Sequence, residues 1–226
     1  MGFIVIEGLD GSGKSTQLNL LREQLDKESV AYKYLHFPRL DVGVYGELIA
    51  RFLRGEMGAI DQVDPYLVAI LFAGDRSEAA ALIREWTQSG FMVIADRYVY
   101  SNIAFQCAKL DTKYERQKLR DWILEFEFVH HKLPKPDINL YLNVPFEFTK
   151  KQLNHTRNGN DRAYLKGERD IHEESLEFQE RVRQEYMSLR GYVDDLRLIN
   201  CINAAGKMLA PEEISGLIVK QMEEKQ

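Results

Sequence analysis

Phe3-Ile4-Val5-Ile6-Glu7-Gly8-Leu9-Asp10-Gly11-Ser12-Gly13-Lys14-Ser15 is the stretch that decides the fold. It opens on a short run of apolar, β-branched side chains, the composition of a buried strand. After Lys14, the spacing of Leu18, Leu21 and Leu25 predicts a helix to about Lys27. Between strand and helix, Gly8–Ser15 matches G-x-x-x-x-G-K-[ST]. Glycines let a tight loop turn its N–H groups inward on phosphate oxygens, and the helix N-terminus adds the positive end of its dipole. Lys14 can reach the β- and γ-phosphates, and the Ser15 hydroxyl can ligate Mg²⁺. The bland alternative, a glycine-rich turn without a ligand, does not need this strand–loop–helix context.

Outward from that loop, short apolar runs alternate with helical patterns, which predicts an α/β fold with a parallel sheet. Strands are expected at Ala31–His36, Phe91–Ala95, Ile138–Leu142 and Leu196–Asn200, making five with the first. Helices are expected over Gly43–Leu53, from Asp64-Pro65 to near Gly90, over Ser101–Ala108 and Thr112–Phe128, from Pro145, from Ile171 to about Arg190, and from Pro211. Between about 154 and 170 the chain is polar, charged and interrupted by Gly159 and Gly167, the composition of an exposed mobile loop. No internal repeat or long linker interrupts the 226 residues, so one domain with a lid is expected.

Charge and cysteine usage narrow the function classes. A net charge of −5 argues against a general nucleic-acid or membrane-surface binder. The two cysteines, Cys107 and Cys201, have no metal-ligand spacing and suit a reducing cytosol. The first residues read as a strand rather than a signal peptide, and no run approaches the ~18 apolar residues of a membrane span. His130, His131 and His155 lack a spaced carboxylate partner and read as surface residues.

Candidate site residues follow from position. Asp96 ends the apolar run Phe91–Ala95 and should emerge at the carboxyl edge of the sheet, where it would hold a metal directly or through water. Arg97 beside it, and Arg39 after Phe37-Pro38, could clamp a phosphate with their forked donors. Phe72 and Arg76 are four apart on one helix face, where a ring could stack on a base and a guanidinium could donate to its carbonyl.

Taken together, Glu7–Thr16, Phe37-Pro38-Arg39, Leu71–Arg76, Asp96-Arg97-Tyr98 with Ser101 and Phe105-Gln106, and Pro136–Leu142 resemble the thymidylate kinases, in that family's order. The resemblance implies a P-loop NTPase three-layer sandwich, with a five-stranded parallel sheet flanked by helices and a flexible lid. It implies transfer of the γ-phosphoryl of ATP to dTMP with Mg²⁺, in a homodimer packed through helices including the one that carries Phe72. ATP would be held by Gly8, Leu9, Asp10, Gly11, Ser12, Gly13, Lys14, Ser15 and Thr16. Phe72 would stack on thymine, Arg76 would hydrogen-bond it, Phe37 and Pro38 would wall the base pocket, and Ser101, Asn102 and Gln106 would contact base and sugar. Asp10 would contact the acceptor sugar. Phe105 stands where many members carry tyrosine.

Members of that family take the catalytic cation from an arginine in the phosphate loop or from a basic lid. Here Gly11 follows Asp10, so the resemblance moves the cation to Arg157, Arg162, Lys166 or Arg169, with Arg162 and Arg169 favoured. The competing readings are a kinase for another nucleoside monophosphate or a deoxynucleoside, and a non-catalytic nucleotide-sensing module. A GTP switch is disfavoured, because no Asn-Lys-x-Asp motif occurs.

Overall fold

The computed structural model describes residues 2–154, 165, 170–173 and 175–224. Five strands form one parallel sheet in the order β2-β3-β1-β4-β5: β1 (Phe3–Glu7), β2 (Tyr32–His36), β3 (Met92–Asp96), β4 (Ile138–Asn143) and β5 (Leu196–Asn200). The helices are α1 (Lys14–Lys27), α2 (Gly43–Leu53), α3 (Pro65–Gln88), α4 (Val99–Cys107), α5 (Lys113–Leu124), α6 (Phe146–Asn154), α7 (Leu176–Leu189) and α8 (Pro211–Glu223).

Period-two alternation along β1 makes three layers. Phe3 and Val5 face one core with Val93 and Ala95 of β3, packed against Ile83 of α3, Ile103 of α4 and Val182 of α7. Ile4 and Ile6 face the opposite core with Leu18 and Leu21 of α1 and Ile214 and Ile218 of α8. Both faces are covered, so the strands read as unbroken apolar runs. The helix after β1 therefore lies on one face and the helix after β3 on the other, although β1 and β3 are hydrogen-bonded neighbours. The loops leaving these two strands diverge and open a crevice at the carboxyl edge.

Local chemistry fixes the element ends. Asp64 caps α3 by accepting the Tyr66 N–H at 2.8 Å, with Pro65 in the first turn. Gly74 lets α3 approach α2: a Cβ there would lie 2.2 Å from the Tyr45 ring. Two expected helices differ in extent. The expected Thr112–Phe128 helix ends as α5 at Leu124 and continues as a π-helical segment, Glu125–His130. The helix expected from Ile171 starts at Leu176, because Ser175 caps it by accepting the Phe178 N–H, while the Ile171 N–H is spent on the Leu53 carbonyl.

Candidate active site

A cavity of about 830 Å³ occupies the crevice above β1 and β3. One end is lined by Gly11, Gly13, Lys14, Ser15 and Thr16. Gly13 is the N-cap of α1 with φ 87°, a left-handed backbone that glycine adopts without strain. The Leu9 side chain belongs to the core instead, so any phosphate contact from Leu9 is through its backbone. Lys14 donates to the Gly8 and Leu9 carbonyls at 3.3 and 3.1 Å. Burial, with Arg97 adding repulsion, lowers its pKa to about 8.

Across the cavity the sheet edge carries Asp96, whose Oδ2 lies 3.2 Å from His36 Nδ1. Burial pushes this carboxyl up, but His36 and Lys14 outweigh it and hold it below its ordinary value. Asp96 Oδ1 is buried without a hydrogen-bond partner. An orphaned carboxylate oxygen on a residue that lines the same cavity as Ser15 fits a hard, oxygen-ligated cation such as Mg²⁺, held mainly by phosphates and water. Among the described residues no cluster of three or more His, Cys, Asp or Glu could hold a metal by itself.

Arg97 follows with φ 66°, uncommon for a residue with a side chain. Its Nη2 donates to Asp10 Oδ1 at 2.6 Å and its Nη1 to Ser101 Oγ at 3.1 Å. Burial opposes its charge, but Asp10 more than compensates and keeps the guanidinium protonated. Arg39 also lines the cavity, and Asp75 grips it: Nε to Oδ1 at 2.8 Å and Nη2 to the Asp75 carbonyl at 2.7 Å. The loop between β1 and α1 and the turn after β3 are thus joined by a charged pair, Asp10–Arg97.

The far end is aromatic and amide-lined. Phe37, Pro38, Phe72, Phe105, Asn102 and Gln106 all line it. The sequence reading also put Arg76 against the base, and in the structure it meets a carboxylate. Arg76 is buried, absent from the cavity wall, and paired through Nε and Nη2 with Glu127 at 2.5 and 2.6 Å. Burial disfavours its charge, but Glu127 holds it above its ordinary pKa. The i, i+4 spacing correctly put Arg76 near Phe72. What captured it was a carboxylate 51 positions away on the π-helical segment, which no local pattern announces.

Glu127 has a second task. Its Oε1 accepts the Asn102 Nδ2 at 2.8 Å, and the Ala69 carbonyl accepts the same nitrogen at 3.1 Å. Two pure acceptors fix which end of the amide is nitrogen. Asn102 Oδ1 is left buried with no partner, as is Gln106 Oε1.

Four further residues have roles that the sequence reading did not assign. Glu7, at the end of β1, is buried beneath the Arg97 turn. His172 lines the cavity with its ring 6.4 Å from Phe72 and 20° from parallel, and burial pushes its pKa well down. Gln179 of α7 donates to the His172 carbonyl at 2.8 Å and to Asp10 Oδ2 at 3.3 Å. Tyr186 of α7 reaches Glu7. Only the apolar stripe of α7, with Tyr186 in it, was a signal available beforehand. The favoured lid cations Arg162 and Arg169, with Arg157 and Lys166, lie outside the described residues.

Comparison with known proteins agrees with this geometry. The family model for thymidylate kinase matches residues 6–205. The probable thymidylate kinase of Thermococcus gammatolerans is 30% identical over 226 residues, covering 97% of each chain. The thymidylate kinase of Mycobacterium tuberculosis is 33% identical over 187 residues, 82% of this chain and 84% of that one. Among solved structures, the thymidylate kinase of Candida albicans superposes with a TM-score of 0.72 at 25% identity, covering 99% of this chain and 91% of that one. Because the family model matches most of its length and a 30% identical relative spans nearly all of it, the chain belongs to the thymidylate kinase family.

Proposed function

We propose that this protein transfers the γ-phosphoryl group of ATP to the 5′-phosphate of dTMP, yielding ADP and dTDP. The observation that carries the acceptor assignment is Asn102. Its amide nitrogen is committed to Glu127 and Ala69, so it offers the base only an acceptor oxygen. Thymine presents an N3–H donor to such an oxygen, whereas cytosine presents a lone pair at N3. The spacing between Phe72 and His172 approaches the roughly 7 Å that a ring sandwiched between two others spans. The thymine ring enters there.

In the reaction an oxygen of the acceptor phosphate attacks Pγ in line as the bond from Pγ to the β–γ bridging oxygen breaks, and ADP departs with that electron pair. No proton need be removed, because the acceptor is already anionic. Lys14 stays on the β- and γ-phosphates, and Arg97, held by Asp10 and Ser101, clamps the acceptor phosphate with Arg39 beside it. Ser15 and Asp96 would hold Mg²⁺, which when bound neutralises phosphate charge. Arg162 and Arg169 are assigned to the lid that closes over the transferred group and excludes water.

A panel of Mg-ATP with dTMP, dUMP, dCMP, AMP and thymidine, following ADP release, tests this. Turnover of dTMP should exceed that of dCMP by about 10²-fold or more, the discrimination expected when a mismatched base leaves buried polar groups facing each other unpaired. Chelating the metal should abolish turnover. Equal use of dCMP would overturn the acceptor assignment, and ATP binding without acceptor-dependent ADP would overturn catalysis itself.

The homodimer is part of the same proposal. Leu67 and Ile70, three apart on α3, and Val44 of α2 are exposed apolar side chains. Covering them in a two-fold interface suits their exposure, and sedimentation equilibrium should give a dimer that Leu67→Lys converts to monomer. A monomeric wild type at micromolar concentration would refute it. Among the described residues no helix is long and apolar enough to cross a membrane.

A further inference from the structure

We infer that Glu7 is a positioning residue for phosphoryl transfer, its buried carboxylate fixing the turn that presents Arg97 to the acceptor phosphate. This rests on dTMP being the acceptor. Glu7 is fully buried and gathers donors from two other segments of the chain. Its Oε1 accepts the Tyr98 N–H at 3.0 Å and the Ser101 N–H at 3.3 Å. Its Oε2 accepts the Ser101 hydroxyl at 2.6 Å and the Tyr186 hydroxyl at 2.8 Å.

These bonds complete a helix start that its own residues leave open. Tyr98, the N-cap of α4, provides no side-chain cap, since its hydroxyl donates to the Pro134 carbonyl at 3.2 Å. Glu7 receives the backbone donors in its place, reaching across from the neighbouring strand. The residue just before this turn is Arg97 in the left-handed region, a conformation that persists only where the surroundings over-determine it. Ser101 Oγ is the link between the two, accepting from Arg97 Nη1 while donating to Glu7. Tyr186 closes the set from α7, 2.7 Å from Ser101 Oγ. A carboxylate is the side chain that can accept from all of these at once; burial pushes its pKa up, against the pull of Ser101 and Arg97. A glutamine of the same size would aim an amide N–H at one pair of them.

The test compares ligands that do and do not carry the phosphate Arg97 grips. Glu7→Gln should weaken dTMP binding about 10-fold by calorimetry and lower kcat/KM for dTMP about 50-fold. Binding of thymidine, which lacks the phosphate, should stay within twofold, and so should binding of ATP without acceptor. Tyr186→Phe, which removes one of the donors on Glu7 and leaves the Arg97 bonds to Asp10 and Ser101 in place, should reproduce this pattern at smaller size and decides the matter if Glu7→Gln folds poorly. Equal weakening of dTMP and thymidine, or of neither, overturns the inference, because a purely structural Glu7 would not distinguish them. Wild-type enzyme assayed with dTMP in parallel separates the two levels: without that turnover, the acceptor assignment and this inference both fall.

Discussion

Replacing Lys14 by glutamine should lower kcat by about 10³-fold, some 4 kcal/mol of transition-state stabilisation, while leaving the protein folded. The ammonium is buried against the phosphate loop, where charge developing on the transferred group is poorly screened by water. The same variant carries a stability signature whose sign follows from the lowered pKa. Lys14 titrates near 8 in the folded protein and near the ordinary lysine value of 10.5 when unfolded. Below pH 8 both states are protonated and burial of the charge costs its full amount, at most about 3 kcal/mol. Between pH 8 and 10.5 the unfolded chain binds more protons, so wild-type stability gains from this group as pH rises. Glutamine has no such dependence. Thermal unfolding should therefore show Lys14→Gln more stable than wild type at pH 7, with the gap closing by pH 10. A gap that is constant across this range would refute the assignment.

The second large effect belongs to Arg97→Ala. Steady-state kinetics should show kcat/KM for dTMP falling by 10³-fold or more, roughly 4 kcal/mol, with ATP affinity in the absence of acceptor changed by less than threefold. Two fixed hydrogen bonds, to Asp10 and Ser101, hold the guanidinium before any ligand arrives, so little ordering remains to be done on binding. Arg97→Lys should recover only a small part of the loss, since an ammonium cannot serve Asp10, Ser101 and a phosphate from one planar fork. Loss of ATP affinity comparable to the loss with dTMP would place Arg97 on the donor instead.

These two residues were legible in the sequence because their contexts are local. Lys14 sits inside a loop motif flanked by its own strand and helix, and Arg97 directly follows the residue that ends a strand. The sheet was legible for a similar reason: strands covered on both faces leave unbroken apolar runs. What local reading could not supply were partners distant along the chain. Glu127 meets Arg76 across 51 positions, and Tyr186 meets Glu7 across 179. Arg76 was read as a base contact, and the carboxylate that pairs with its Nε and Nη2 is one such distant partner. His172 was hidden differently. Expected inside a helix starting at Ile171, it stands in a turn ahead of α7, and that turn brings its ring to the cavity.

The capture of Arg76 also bears on how this pocket can change over generations. On the proposed acceptor assignment, Asn102 reads the base through an oxygen whose direction is set by Glu127, and Glu127 is paired with Arg76. Turning that oxygen away to welcome cytosine means disturbing an ion pair sealed from water, and removing either partner alone strands the other as a lone buried charge, commonly a loss of about 3–5 kcal/mol. Single-step variants toward a new base would tend to unfold before they became useful. A lineage could reach cytosine only by changing several of these side chains together, so the proposed preference for thymine would be guarded by the stability of the fold as well as by the fit of the ligand.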